Sequence, residues 1–370
     1  MKSIVITGSN GFVGKNLKFD LKQTTDYQIL EISRDTSIED RNEYLTKADC
    51  IVHLAGVNRP EHESEFYEGN VSLLQEILNI VKNNPNKPSI ILSSSIQASA
   101  DNLYGKSKNE AESLLNNFSK TYGNKVYIYQ FPNLFGKWCK PNYNSVIATF
   151  CNNIACGKEI KVNDREIMLS LNYIDDVIAE IKRAIEDKPT IVDNKCEVPN
   201  VYKKSLGEIS DLIISFKDSR EKRFLPKLDD PFEKSLYSTY LSYLPKNEFS
   251  YPLKMNVDER GSFTEFLKTP DRGQVSVNVS KPGIVKGNHW HHTKNEKFLV
   301  VSGEGVIRFR LPDSDEVIEY HVSGDNLEVV DIPVGYTHNI ENLGTENMVT
   351  IMWVNEMFDP ENTDTYFLEV

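Results

Sequence analysis

The chain has 370 residues, 39% of them hydrophobic and 26% charged, which excludes a disordered or collagen-like protein and at this length points to two cores. A net charge of -12 argues against a surface for nucleic acid or anionic lipid, because holding phosphates needs clustered Lys and Arg. Cys50, Cys139, Cys151, Cys156 and Cys196 are scattered with no CxxC pair, as reduced thiols of a cytoplasmic protein would be, and no stretch approaches the roughly 20 apolar residues of a membrane span.

From Ser3 onward, short β-branched runs alternate with helix-length segments, and strands are predicted at residues 4–7, 28–32, 50–54, 89–93 and 126–129. Strand and helix in this rhythm predict an α/β fold, a doubly wound parallel sheet of Rossmann type. After the first strand stands Thr7-Gly8-Ser9-Asn10-Gly11-Phe12-Val13-Gly14. Its glycines let the backbone approach a pyrophosphate, and the following helix start offers free N–H groups and a positive dipole end. Gly8, Asn10, Gly11, Phe12, Val13 and Gly14 are therefore candidate dinucleotide contacts. The second strand ends in Ile32-Ser33-Arg34, where an NAD site would carry an acid. A serine followed by arginine suits a 2'-phosphate, hence NADPH; the alternative leaves Arg34 solvated and gives the ribose to Glu31.

Ser93, Ser94 and Ser95 close the fourth strand, and Tyr104 and Lys108 follow at a four-residue interval. On a helix that interval puts both side chains on one face. An ammonium there is expected to lower the phenol's pKa and make it a usable acid, with a serine hydroxyl on the substrate oxygen. Together with the glycine turn, these residues make the stretch to about residue 243 resemble an extended short-chain dehydrogenase/reductase of the nucleotide-sugar type. Further shared motifs are Asp49-Cys-Ile-Val-His-Leu-Ala-Gly56, Asn70 opening a helix, Pro132-Asn-Leu-Phe-Gly136 and Asn172-Tyr-Ile-Asp-Asp-Val177. The resemblance implies Tyr104 as proton donor, Lys108 on the ribose, Ser95 at the carbonyl and Leu54, Ala55 and Gly56 against the cofactor. It also makes Asn133 and Arg165 candidate nucleotide-sugar contacts. The loop between serine and tyrosine is shorter than the family's usual one, which leaves Ser93 and Ser94 as alternatives to Ser95.

Prolines and tyrosines mark residues 226–252, and the boundaries read as a reductase domain at 1–243, a linker at 244–252 and a second domain at 253–370. Past Asn247, strands punctuated by glycines predict an all-β barrel. Within it, His289, His291, Glu296 and His338 offer three imidazoles and a carboxylate, a donor set for a divalent cation with an open position. Alternate strand residues share a face, so His289 and His291 can both point inward. The spacing, with Gly283, Gly303, Gly335 and Asn342, resembles both cupin motifs, with zinc as the expected ion. The runs Asp258-Glu-Arg-Gly261-Ser-Phe263-Thr-Glu265 and Lys286-Gly287-Asn288-His289 resemble the deoxysugar-epimerase branch of the cupins, which implies His289 as a base rather than a ligand; both roles stay open. His292 and Tyr336 are further acid/base candidates.

The reductase-then-cupin order resembles bifunctional enzymes of capsular polysaccharide synthesis. It implies a UDP-linked 2-acetamido-2,6-dideoxy-4-hexulose as substrate, epimerised at C3 by the cupin and reduced at C4 with NADPH to a UDP-2-acetamido-2,6-dideoxy-L-hexose of talose type. The alternative is a reductase whose cupin serves binding or dimerisation. A homodimer with no membrane insertion is expected.

Overall fold

The computed structural model describes residues 1–361 and 363–370, and the chain divides into two compact units. The first comprises Met1–Ile214 with Asp230–Pro245. Its sheet is built on five parallel strands, β1 (Ser3–Thr7), β2 (Gln28–Ile32), β3 (Cys50–His53), β4 (Ser89–Ser95) and β5 (Val126–Phe131), in the order β2-β1-β3-β4-β5. All five lie where the sequence places them. In β1, Ile4 and Ile6 face Leu17, Leu21 and Ile174, while Val5 faces Leu45, Leu74 and Leu115 on the other side. A strand covered on both faces has no polar side, which is why it reads as an apolar run. The order reverses between β1 and β3, so a crevice opens beyond their carboxyl ends, the place where such sheets bind ligands.

The Leu103–Tyr122 helix, which carries Tyr104 and Lys108, starts at Asn102, whose side chain accepts the Gly105 N–H at 2.8 Å, and stops at Gly123 with φ +76°. These are ordinary cap chemistries, and they place Tyr104 in the first turn. Asn70 does not open a helix as expected. It sits in a π-helical turn, Glu68–Ser72, between the Ser64–Tyr67 and Leu73–Val81 helices. Non-local bonds to Val57 and Ser107 hold its carboxamide there, which helix-start signals in the sequence cannot report.

The second unit comprises Ser215–Asp229 and Lys246–Val370, so the break falls elsewhere than at residue 243. The reason is an edge-strand pairing: Lys268 N–H donates to Arg223 O at 2.8 Å, Leu225 N–H donates to Lys268 O at 2.9 Å, and Arg223 pairs with Glu265 at 2.8 Å. Two antiparallel sheets form the rest. One has six strands, running Asn256–Asp258, Gly261–Thr269, Gly273–Ser280, Met348–Val354, Glu296–Ser302 and Val329–Ile332 in spatial order. The other has five, Ile318–Ser323, Glu304–Arg310, Thr337–Asn342, Val285–Trp290 and Tyr366–Phe367.

Phe298, Val300, Ile307, Phe309, Ile340 and Met348 form the apolar core of this unit. The Gly273–Ser280 strand does the reverse of the usual alternation. Gln274, Ser276, Asn278 and Ser280 are buried, while Val275, Val277 and Val279 are only partly covered. Its inward face borders a polar cavity, so the polar set of a period-2 strand turns inside. No described helix is long and apolar enough to cross a membrane.

The glycine turn is the tightest point of the first unit. A Cβ added at Gly14 would lie 2.3 Å from Gly8 O and 2.9 Å from Ser9 Cα, so Gly14→Ala must push the turn open. The expected outcome is a loss of about 1–3 kcal/mol, read as a lower thermal unfolding midpoint by circular dichroism.

Candidate active sites

Gly8 adopts φ +66°, and a Cβ there would stand 2.8 Å from Ala55 N, so β1 and β3 meet across a position that admits only glycine. Thr7 Oγ1 accepts the N–H groups of Leu54 and Ala55, both at 3.2 Å, and contacts His53 Nδ1 at 2.9 Å. With its lone pairs used, the Thr7 hydroxyl donates to His53, which sets that ring's tautomer. The Phe12–Thr24 helix starts at Gly11 with no side-chain cap, leaving its first N–H groups available to an anion. Gly56 completes the rim: a Cβ there would meet Asn70 Oδ1 at 2.7 Å and Lys108 Nζ at 3.2 Å.

At the end of β2, Arg34 is exposed. Glu31 is occupied, paired with Lys18 at 2.9 Å and Lys22 at 2.6 Å. Burial pulls its pKa up, but the bonds from Lys22 and Lys18 outweigh it and hold the carboxyl below its ordinary range. Asn10 accepts from Lys18 Nζ at 3.2 Å.

Lys108 is 8% exposed; its ammonium donates to Ser93 O at 3.1 Å and lies 5.9 Å from the centre of the Tyr104 ring. Burial pushes its pKa down to about 8, against the opposing pull of Glu112. The expected lowering of the phenol does not occur in this ligand-free chain. Burial raises the Tyr104 pKa, and the only opposing influence is a hydrogen bond with Ser95. The reason is geometric: burial of the phenol dominates, while the Lys108 ammonium bonds the Ser93 carbonyl. The serines are sorted in the same way: Ser94 donates to Glu112, Ser93 offers its carbonyl to Lys108, and Ser95 reaches Tyr104. Tyr104 opens onto a cleft of about 510 Å³ lined by Asn58, Phe66, Gln97, Asn102 and Leu103. Asn133 and Arg165 do not line it. Asn133 is exposed, with Nδ2 3.4 Å from Ser170 O, and Arg165 pairs with Asp211 at 2.6 Å.

In the second unit the strands converge four side chains. One ligand atom from each of His289, His291, Glu296 and His338 lies within 4.8 Å of the others. His289 and His338 are direct cross-strand partners, and a bulge between Gly287 and His289 aims the former inward. Glu296 Oε2 lies 3.1 Å from His338 Nε2 and 3.7 Å from His291 Nε2. His291 Nδ1–H donates to the Asp364 carbonyl. Burial pulls the Glu296 carboxyl up, but the neighbouring His291 and His338 imidazoles outweigh it and hold it down at about 2. His291 is raised despite burial by Glu296 and the Asp364 carbonyl, and burial beside His338 and His291 lowers His289 to about 4. Both His338 nitrogens, His291 Nε2 and Glu296 Oε2 are buried without a hydrogen-bond partner. Orphaned donors of this kind fit a divalent cation.

These groups line a cavity of about 860 Å³. Of its other lining residues, sequence reasoning passed over Asn278 and quoted Asp258, Arg260 and Lys286 in motifs without giving them a role. Lys286 Nζ donates to Asn278 Oδ1 at 2.8 Å and to Val279 O at 2.9 Å; burial lowers its pKa, although Asp258 pulls the other way. His292 and Tyr336 are not in the lining. His292, in the bend after the strand that ends at Trp290, packs edge-on against Trp290 at 4.6 Å and Tyr366 at 5.0 Å, and Tyr336 packs edge-on against Phe309 at 6.4 Å.

A crevice at a strand-order reversal, a glycine turn and a Tyr-x-x-x-Lys helix define a nicotinamide-dependent enzyme domain, joined here to an antiparallel β domain with a metal-type cluster. The chain belongs to the NAD dependent epimerase/dehydratase family, which it matches over residues 4–196. Residues 256–366 match the polysaccharide biosynthesis C-terminal domain. Over 99% of its length the chain is 40% identical to a UDP-2-acetamido-2,6-beta-L-arabino-hexul-4-ose reductase of Pseudomonas aeruginosa, covering 98% of that protein. It is 70% identical to the capsular polysaccharide assembling protein CapF of Staphylococcus aureus, whose crystal structure it matches with a TM-score of 0.95 over 99% of this chain and 100% of that one.

The depressed Lys108 pKa sets a stability window. Between about 8 and the ordinary 10.5, the unfolded chain holds a proton that the folded chain has released, so stability rises with pH there and is lost as pH falls. Lys108→Met is expected to remove that rise, seen as urea midpoints of the ligand-free protein that no longer climb across the window.

Proposed function

We propose that the chain is a bifunctional nucleotide-sugar enzyme. In this reading its β domain, a cupin, epimerises C3 of a UDP-2-acetamido-2,6-dideoxy-4-hexulose, and its first domain reduces the C4 ketone with NADPH. The product is a UDP-2-acetamido-2,6-dideoxy-L-hexose of talose type for capsular polysaccharide. The observation that carries the reduction is the convergence of Ser95, Tyr104 and Lys108 beside the glycine turn. The names of the two similar proteins support the substrate class.

Gly8 to Gly14, Leu54 to Gly56 and, through the 2'-phosphate, Arg34 would hold NADPH, which when bound would supply the hydride for C4. Ser95 holds the ketone oxygen, and Tyr104 gives that oxygen its proton. Burial keeps the phenol protonated, which is the form that a reduction consumes. Lys108 orients the ribose and holds the charge behind the phenol. Asn133 and Arg165 remain candidate contacts for the nucleotide sugar.

In the β domain, His289, His291, Glu296 and His338 would hold zinc, a Lewis acid suited to a ketone oxygen. The C4 ketone acidifies the neighbouring C3–H; removing that proton and returning it to the other face inverts the centre. His289 serves as a ligand in this reading. Deprotonation then falls to another group in the cavity, and Lys286 is the one that burial has moved toward neutrality.

The test is incubation with the UDP-4-keto sugar in deuterated water. Wild-type protein is expected to add one mass unit at C3 without NADPH and to consume NADPH stoichiometrically when it is supplied. Tyr104→Phe should slow reduction by about 10²- to 10⁴-fold and keep the deuterium uptake. Absent uptake in wild type would make the β domain a binding or dimerisation module. For the cofactor, Arg34→Asp is expected to lower kcat/KM for NADPH by about 10- to 100-fold, the worth of a charged hydrogen bond of about 1.5–3 kcal/mol, and to spare NADH.

A further inference from the structure

The last residues of the chain are tied to the strands that carry the His/Glu cluster. The Asp364 carboxylate accepts the backbone N–H groups of His292 at 3.0 Å, Thr293 at 2.9 Å and Lys294 at 3.1 Å, and the Thr293 hydroxyl at 3.0 Å. Its own carbonyl takes the Nδ1–H of His291. Three residues on, Phe367 pairs with His289 across the Tyr366–Phe367 strand. Leu368 N–H donates to Asn288 O at 3.0 Å, and Leu368 O accepts the Thr337 hydroxyl, next to His338. Asp364 itself has φ +40°, a conformation that a non-glycine residue keeps only when its surroundings over-determine it.

From this geometry we infer that Asp364 is a positioning residue for the metal site, and that the segment Thr363–Leu368 is a strap fixing the ligand imidazoles. The inference rests on the reading of the cluster as a zinc site. A carbonyl oxygen only accepts, so its bond to His291 places a proton on Nδ1 and leaves the Nε2 lone pair facing the cavity. The Asp364 carboxylate is filled by four donors and is therefore not a ligand; it clamps the backbone directly after His291. Strap and ligand strand lock each other, because the residue that orients the ring also holds the turn beyond it.

The test titrates the full-length protein with zinc against a chromophoric chelator. Asp364→Ala, with far-UV circular dichroism unchanged, is expected to bind zinc about 10- to 100-fold more weakly than wild type. Asp364→Asn, which keeps an acceptor oxygen and the carbonyl, should fall between the two. If wild type binds zinc and His338→Ala does not, while folded Asp364→Ala binds like wild type, the metal reading stands and this inference is overturned. If wild type and His338→Ala are equally without zinc, the metal reading fails and takes the inference with it. Should Asp364→Ala not fold, Asp364→Asn decides: weakened binding supports the strap, and wild-type affinity overturns it.

Discussion

A lysine ammonium leaves water only where carbonyl or carboxylate oxygens take its protons, and the first unit is arranged around meeting that demand at Lys108. The Ser93 carbonyl at the end of β4 accepts from it at 3.1 Å. Residue 56 has no side chain, where one would crowd both Nζ and Asn70. His53 is kept neutral, drawn down to about 3 by burial and the nearby Lys108 charge. One buried charge thus borders Gly56 and helps to keep His53 neutral, two positions of one segment, while Asn70 stands at the same glycine.

The second unit meets a related demand with the opposite arrangement. Instead of one charge spread over neutral neighbours, it gathers four groups that cannot satisfy one another. Glu296 and His291 shift in opposite directions because each holds the other's charge, and a divalent cation fills the same electrostatic role. The inward polar face of Gly273–Ser280 belongs with this. Gln274 and Asn278 line the cavity, where buried polar side chains keep partners that an apolar core would deny them.

Much of the candidate chemistry was legible because it is local. The glycine turn, the four-residue Tyr–Lys interval and the His-x-His pair are each defined by backbone periods of one helix turn or two strand residues. What the sequence misjudged is non-local. The phenol's pKa follows its burial, and the Lys108 ammonium bonds a carbonyl 15 residues away in sequence. His292 and Tyr336 were equally plausible by type, but packing keeps them out of the cavity. Asp364 carries no motif at all.

By itself, then, the sequence determined the two-unit plan, the five parallel strands of the first sheet and the four-residue donor set of the second unit, because hydrophobic periodicity and glycine placement are written along the chain. The tertiary structure alone decided that Ser215–Asp229 joins the second unit and that the valines of Gly273–Ser280 turn away from the buried face. Each of these turns on which backbone groups pair across long sequence separations, and a hydrogen bond between distant strands leaves no periodic trace in either of them.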